Sequence, residues 1–213
     1  MDDNHRLTEL KDFIKHQIVP QYDNFDAAHG RGHVEVVMKR AIELSQYYPE
    51  ADPAIVLAAA AYHDLGLSHG REQHHLYGAQ IVRKDVRLKQ WFSDDEIELI
   101  ADAVEDHRAS NAHEPRTLYG KLVAEADRLI DVETIVRRTI QYGLNHNPEL
   151  SPEEQYQRVR THLFGKYGPD GYLKLWIPHG DNAQQLAALH AVLRDEQALR
   201  TLYDKEFAKL AAT

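Results

Sequence analysis

The sequence predicts an all-α protein, a compact multi-helix bundle with a helical C-terminal extension. Three observations predict it. Apolar residues recur at spacings of three and four along most of the chain, helix-opening caps precede several of those stretches, and no segment has convincing strand alternation, repeat or low-complexity composition. With 213 residues, 43% of them hydrophobic, the chain is long enough for one well-buried domain with an appended subdomain.

The elements follow in order. Leu7, Leu10, Ile14 and Ile18 mark a first amphipathic helix ahead of Pro20, and Val34, Val37, Ala41, Leu44 and Tyr48 a second ahead of Pro49. Asp52-Pro53 is a cap followed by proline at the first helical position, opening a helix that closes on HDLG with Gly66 as its stop. A helix is expected from Glu72 to Lys84. Ser93-Asp94-Asp95-Glu96 is a capping box for the next, with Ile97, Ile100 and Val104 on its inner face. Residues 117 to 143 read as one long or two short helices. The stretch 145 to 152 is a linker by composition, after which Ser151-Pro152-Glu153-Glu154 caps a helix broken at GKYGPDGY. A final helix is expected from Asp181, carrying Leu186, Leu189, Leu193 and Leu202. The division expected is a helical metal-binding domain over 1–144 and a helical extension over 145–213 packed on it.

Composition excludes several functions. There is no cysteine, hence no disulfide, thiolate metal site, iron–sulfur cluster or cysteine nucleophile, and any metal must be held by His, Asp or Glu. A net charge of −9 without a Lys/Arg cluster argues against a nucleic-acid polymer as partner, while a small phosphorylated molecule remains compatible. The first residues lack the layout of a signal peptide and no apolar run is of membrane-spanning length, so no membrane partner and a cytoplasmic location are expected.

The chemistry lies in polar residues on apolar faces. In AAAAYHDLG, His63 and Asp64 end a helix that reads as buried on most sides, where two titratable side chains are costly unless a partner binds them. A metal ion satisfies a neutral imidazole and a carboxylate together. His33 sits four residues before Val37, His107 three after Val104, and Asp127 shares a face with Val123 and Ile130, so side chains of several helices can converge on one ion.

The order of His33, His63-Asp64 and Asp127, in GHVEVV, AAAAYHDLG and AEADRLID, resembles the HD-domain superfamily of metal-dependent phosphohydrolases over roughly residues 25 to 140. That resemblance implies a divalent metal (Fe, Mn, Ni, Co or Mg) on these four residues, with the catalytic doublet His63 and Asp64 at its centre. HHLYGA and AVEDHR add His74 and His107, as in binuclear members. By the resemblance Asp64 bridges two metals, with His33, His63 and Asp127 completing one site and His74 and His107 the other; His75 is an alternative to His74. The glycine-tyrosine-proline signature of the cyclic-di-GMP subgroup is missing.

Held this way, a divalent cation lowers the pKa of bound water, and phosphorus is the natural target. Arg71, Arg128 and His29 are placed to meet the substrate, and Glu72 is a candidate leaving-group acid. His69, His113 and His179 read as exposed loop histidines, and GYLKLWIPHG as a packed connection. Three functions follow in order: a phosphohydrolase acting on a small phosphate ester or nucleotide, a metal-containing binding or regulatory module without turnover, and a structural helical protein with satisfied core histidines.

Overall fold

A computed structural model describes residues 3–26, 28–111 and 113–211. They form ten α-helices joined by turns and short helical segments of other winding, and no strand occurs among them. The protein is all-α. None of the described helices is long and apolar enough to cross a membrane. The chain divides into two compact units, one running to Arg128 together with Trp176–His179, the other comprising Leu129–Leu175 and the chain from Gly180 onward.

The first unit contains α1 (Asp3–Phe13), α2 (Arg31–Ser45), α3 (Pro53–Tyr62), α4 (His74–Lys84), α5 (Asp94–Asp106) and α6 (Leu118–Asp127). Every residue of α3 from Ala54 to Tyr62 is buried, which is why it is apolar all round, and α2, α5 and α6 pack against it. Asp52 caps α3 by accepting the Ala54 N–H at 2.8 Å, with Pro53 at a position where its missing N–H costs nothing. The capping box at Ser93 opens α5.

Three boundaries here differ from expectation. The first helix does not stop before Pro20, since α1 passes into a π-helical turn over Ile14–Ile18 and a 3₁₀ segment over Val19–Asn24 that accepts proline in its first turn. Gly66 is not a helix stop: α3 ends at Tyr62, and Gly66 lies in a 3₁₀ turn over Leu65–His69. Its role is close approach, because a Cβ there would stand 1.9 Å from the His74 carbonyl oxygen. The helix expected from Glu72 begins at His74.

The second unit contains α7 (Val132–His146), α8 (Pro152–Tyr167), α9 (Asn182–Arg194) and α10 (Glu196–Ala211), so the linker-like stretch 145–152 lies within it. Asp131 caps α7 through the Thr134 N–H, which resolves residues 117 to 143 into two helices rather than one. Ser151 opens α8 with a complete capping box. The single final helix expected is two, because the chain turns at Asp195, whose carboxylate accepts the Ala198 N–H at 3.0 Å and starts α10. Ile135, Val136, Ile140, Val159, Leu163, Leu189, Leu193 and Leu199 form this unit's core.

Candidate metal centre

Five elements of the first unit deliver the polar residues. His33 comes from the first turn of α2, His63 and Asp64 follow the end of α3, His74 opens α4, and His107 caps the end of α5, while Asp127 is the last residue of α6. The 3₁₀ turn after Asp64 lies close enough to α4 to bring His74 to the doublet, which requires Gly66. Gly78, one turn along α4, has the same cause: a Cβ there would stand 2.8 Å from the Val104 side chain on α5.

The side chains fall into two groups sharing one carboxylate. In the first, His33 Nε2 lies 3.2 Å from His63 Nε2 and 3.1 Å from Asp127 Oδ1, and Asp64 Oδ2 lies 3.3 Å from His63 Nε2 and 3.6 Å from His33 Nε2. In the second, His74 Nε2 lies 3.2 Å from His107 Nε2, and Asp64 Oδ1 is 3.5 and 3.7 Å from those two nitrogens. Asp64 therefore turns one oxygen to each group. His63, Asp64 and His107 are buried.

Ring tautomers show what this arrangement fits. His63, His74 and His107 turn Nδ1 to the carbonyls of Ala60, Arg71 and Val104 at 2.7, 2.9 and 2.5 Å. A carbonyl only accepts, so Nδ1 carries the proton and Nε2 presents a lone pair. Lone pairs thus face one another across 3.2 Å with carboxylate oxygens beside them, an all-acceptor set that suits a cation. Two ligand atoms each about 2.1 Å from a shared cation lie roughly 3.0–3.4 Å apart between octahedral and tetrahedral geometry, close to the separations observed. The donor set fits divalent metal.

Electrostatics agrees. Burial pulls the His63 pKa down, but Asp64 and Asp127 more than offset it and push it up to about 9, so without another cation the group attracts a proton. Burial would raise Asp64, yet the charge of His63 and hydrogen bonding from His107 hold it well below the usual carboxylate range. Asp127 is held low in spite of burial by its hydrogen bond with His33 and the charge of His63. His74 moves the other way, down to about 4, through burial and the neighbouring His107.

The remaining sequence candidates are placed as follows. His29 stands beside His33 with ring centroids 6.1 Å apart, and its Nδ1 is 2.9 Å from Asp26 Oδ1. Arg71 is exposed in the loop before α4, and its charge helps His29 hold Asp26 low against burial. Arg128 is buried, and its Nε and Nη1 find no hydrogen-bond partner among the described residues; burial lowers its pKa against the opposing charges of Glu125 and Asp127. His75, the alternative to His74, belongs to neither group of possible metal ligands. His69, His113 and His179 are exposed, and Trp176–His179 packs within the first unit, where Glu125 accepts the Trp176 N–H at 2.8 Å and His179 stacks on Tyr47 at 4.2 Å.

Three supporting residues lie outside the sequence expectations. The Tyr22 hydroxyl donates to the Ala61 carbonyl at 2.8 Å and accepts the Asp64 N–H at 3.3 Å. Asp106 accepts the Arg116 N–H at 2.7 Å and its guanidinium at 2.9 Å, tying down the loop that follows His107. Glu125, buried, anchors Trp176. An acid on the apolar face of α6 is the one sign of Glu125 available from sequence.

Comparison with known families matches residues 31–130 to the HD domain, which runs from α2 to just past α6 and contains both groups of ligand-type residues. No curated protein and no solved structure matches the chain.

Proposed function

We propose that the chain, whose residues 31–130 match the HD domain, is a metal-dependent phosphohydrolase of the HD superfamily and hydrolyses a small phosphate ester or nucleotide at the Asp64 centre. The observation that carries this reading is the division of Asp64, one oxygen toward His33 and His63, the other toward His74 and His107. His33, His63, Asp64 and Asp127 would hold one divalent ion, and Asp64, His74 and His107 a second. Bound there, divalent ions supply acidified water and stabilise charge on phosphoryl oxygens.

The protein's own residues supply binding and orientation. Arg128 is a guanidinium held close to the centre at an energetic cost, with two nitrogens free to donate to phosphoryl oxygens. His29, fixed by Asp26, and Arg71, whose charge reaches the same carboxylate, lie on the His33 side and would meet the remainder of the substrate. The backbone carbonyls of Ala60, Arg71 and Val104 hold their imidazoles in the tautomer a cation requires.

The test is an activity screen with manganese, iron, nickel, cobalt and magnesium supplied separately, over phosphate monoesters, diesters and nucleotides. Metal-dependent hydrolysis of one class, read as free phosphate for monoesters and as monoester and alcohol for diesters, supports the proposal and names the substrate. Full ion occupancy without turnover on any class overturns it in favour of a binding module.

A further inference from the structure

Residues 14–24 depart from α winding, first as a π turn and then as a 3₁₀ segment, yet Ile14, Ile18 and Tyr22 remain 2%, 0% and 0% exposed. This segment carries the Tyr22 side chain to the end of α3, the place where the doublet begins. The ring lies edge-on to Phe25 at 5.5 Å and 6.3 Å from that of His63. Its hydroxyl sits between two backbone groups, donating to the Ala61 carbonyl at 2.8 Å and accepting from the Asp64 amide at 3.3 Å.

The polarity of that relay is set. A carbonyl cannot donate and an amide N–H cannot accept, so only a group that does both can fill the position. Asp64 has left the helix by this point, with φ −104° and ψ 2°, outside the usual helical geometry, and its N–H is met by the Tyr22 hydroxyl.

We propose that Tyr22 is a positioning residue: its hydroxyl fixes the backbone of Asp64 so that the two carboxylate oxygens are divided between the two groups of imidazoles. It rests on the reading of Asp64 as a shared metal ligand. Its consequence is specific, because displacing Asp64 disturbs both groups together, whereas losing an imidazole disturbs one.

The experiment is calorimetric titration of metal-free protein with Mn²⁺ at neutral pH, below the melting temperature, for the wild type and Tyr22→Phe. Phenylalanine keeps the ring against Phe25 and removes only the relay. Affinity for both ions is expected to fall about 10-fold in the folded variant. Wild-type affinity in folded Tyr22→Phe overturns the inference, since a purely structural tyrosine would lower the melting temperature alone. Where phenylalanine prevents folding, 3-fluorotyrosine at position 22 keeps the donor and weakens the acceptor; a smaller loss for both ions supports the inference, and unchanged affinity overturns it. A wild-type chain that takes up no ion overturns the ligand reading itself and the inference with it.

Discussion

The two units bury polar groups in opposite ways. In the second, Thr139 donates to the Ile135 carbonyl, Gln155 to that of Asn147, and Glu206 lies against Lys209 and Arg137, so side chains are matched to backbone or to opposite charge. In the first, three imidazoles use their proton-bearing nitrogens on backbone carbonyls and leave the other nitrogens facing one another and Asp64. Burial of a polar group is costly in both places. Apart from the Tyr156 hydroxyl and one Glu206 oxygen, the second unit offsets the cost internally, whereas the Asp64 centre of the first gathers several such groups for a cation to offset, and that difference marks the functional centre without reference to any relative.

The largest effect expected is that of Asp64→Asn, which keeps volume and removes the charge common to both groups. Both ions should be lost and hydrolysis should fall by at least about 100-fold. Metal analysis checks it, and retained metal at wild-type stoichiometry would remove Asp64 from the ligand set.

Metal addition should act on one unit. With free metal about 100-fold above Kd, amide exchange around α3, α4, α5 and α6 should slow by up to about 100-fold, while amides of α7 to α10 change little. Equal protection of both units would show that the ion does not act on the first unit alone.

Acidity sharpens it further. The folded pKa of His63, about 9, lies above its ordinary 6.5, so the stability it contributes to the metal-free chain is complete below pH 6.5 and is lost as pH rises through 9. Asp64 and Asp127 lie below their ordinary 3.8, so their contribution is present above that value and is lost on acidification. Metal uptake should run opposite to His63 over the neutral range, strengthening as pH rises, because the ion displaces a proton. Melting curves with and without metal between pH 6 and 9 should therefore diverge as pH rises; parallel curves would contradict this.

The smallest effect belongs to the second unit. Ser151→Ala removes the two bonds its hydroxyl makes with Glu154 at the start of α8 and should cost about 1 kcal/mol of stability with no change in metal affinity. Chemical denaturation and metal titration of the same variant test both halves.

Much of this molecule is legible in its sequence, for local reasons. Asp52, Ser93 and Ser151 announce their helices because a short polar side chain must meet the first free amides, and α3 announces its central position by having no polar face. His33, His63, Asp64, His107 and Asp127 stand out as polar residues on apolar faces, and the fold brings them together. The remainder depends on winding and close approach, which have no period. Tyr22 reaches Asp64 through π and 3₁₀ turns; His74 rather than His75 faces Asp64 because of how α4 seats on Gly66; and the apolar spacing runs on through Asp195, where the chain turns between α9 and α10.

Ion counting decides whether one carboxylate, that of Asp64, organises two ions. Wild type, His74→Ala and His107→Ala, prepared anaerobically and saturated with metal, should bind two, one and one ions per chain, because the His33, His63, Asp64 and Asp127 group survives both changes. One ion in all three would contradict the account, leaving Asp64 a ligand of a single metal and His74 and His107 outside the ligand set.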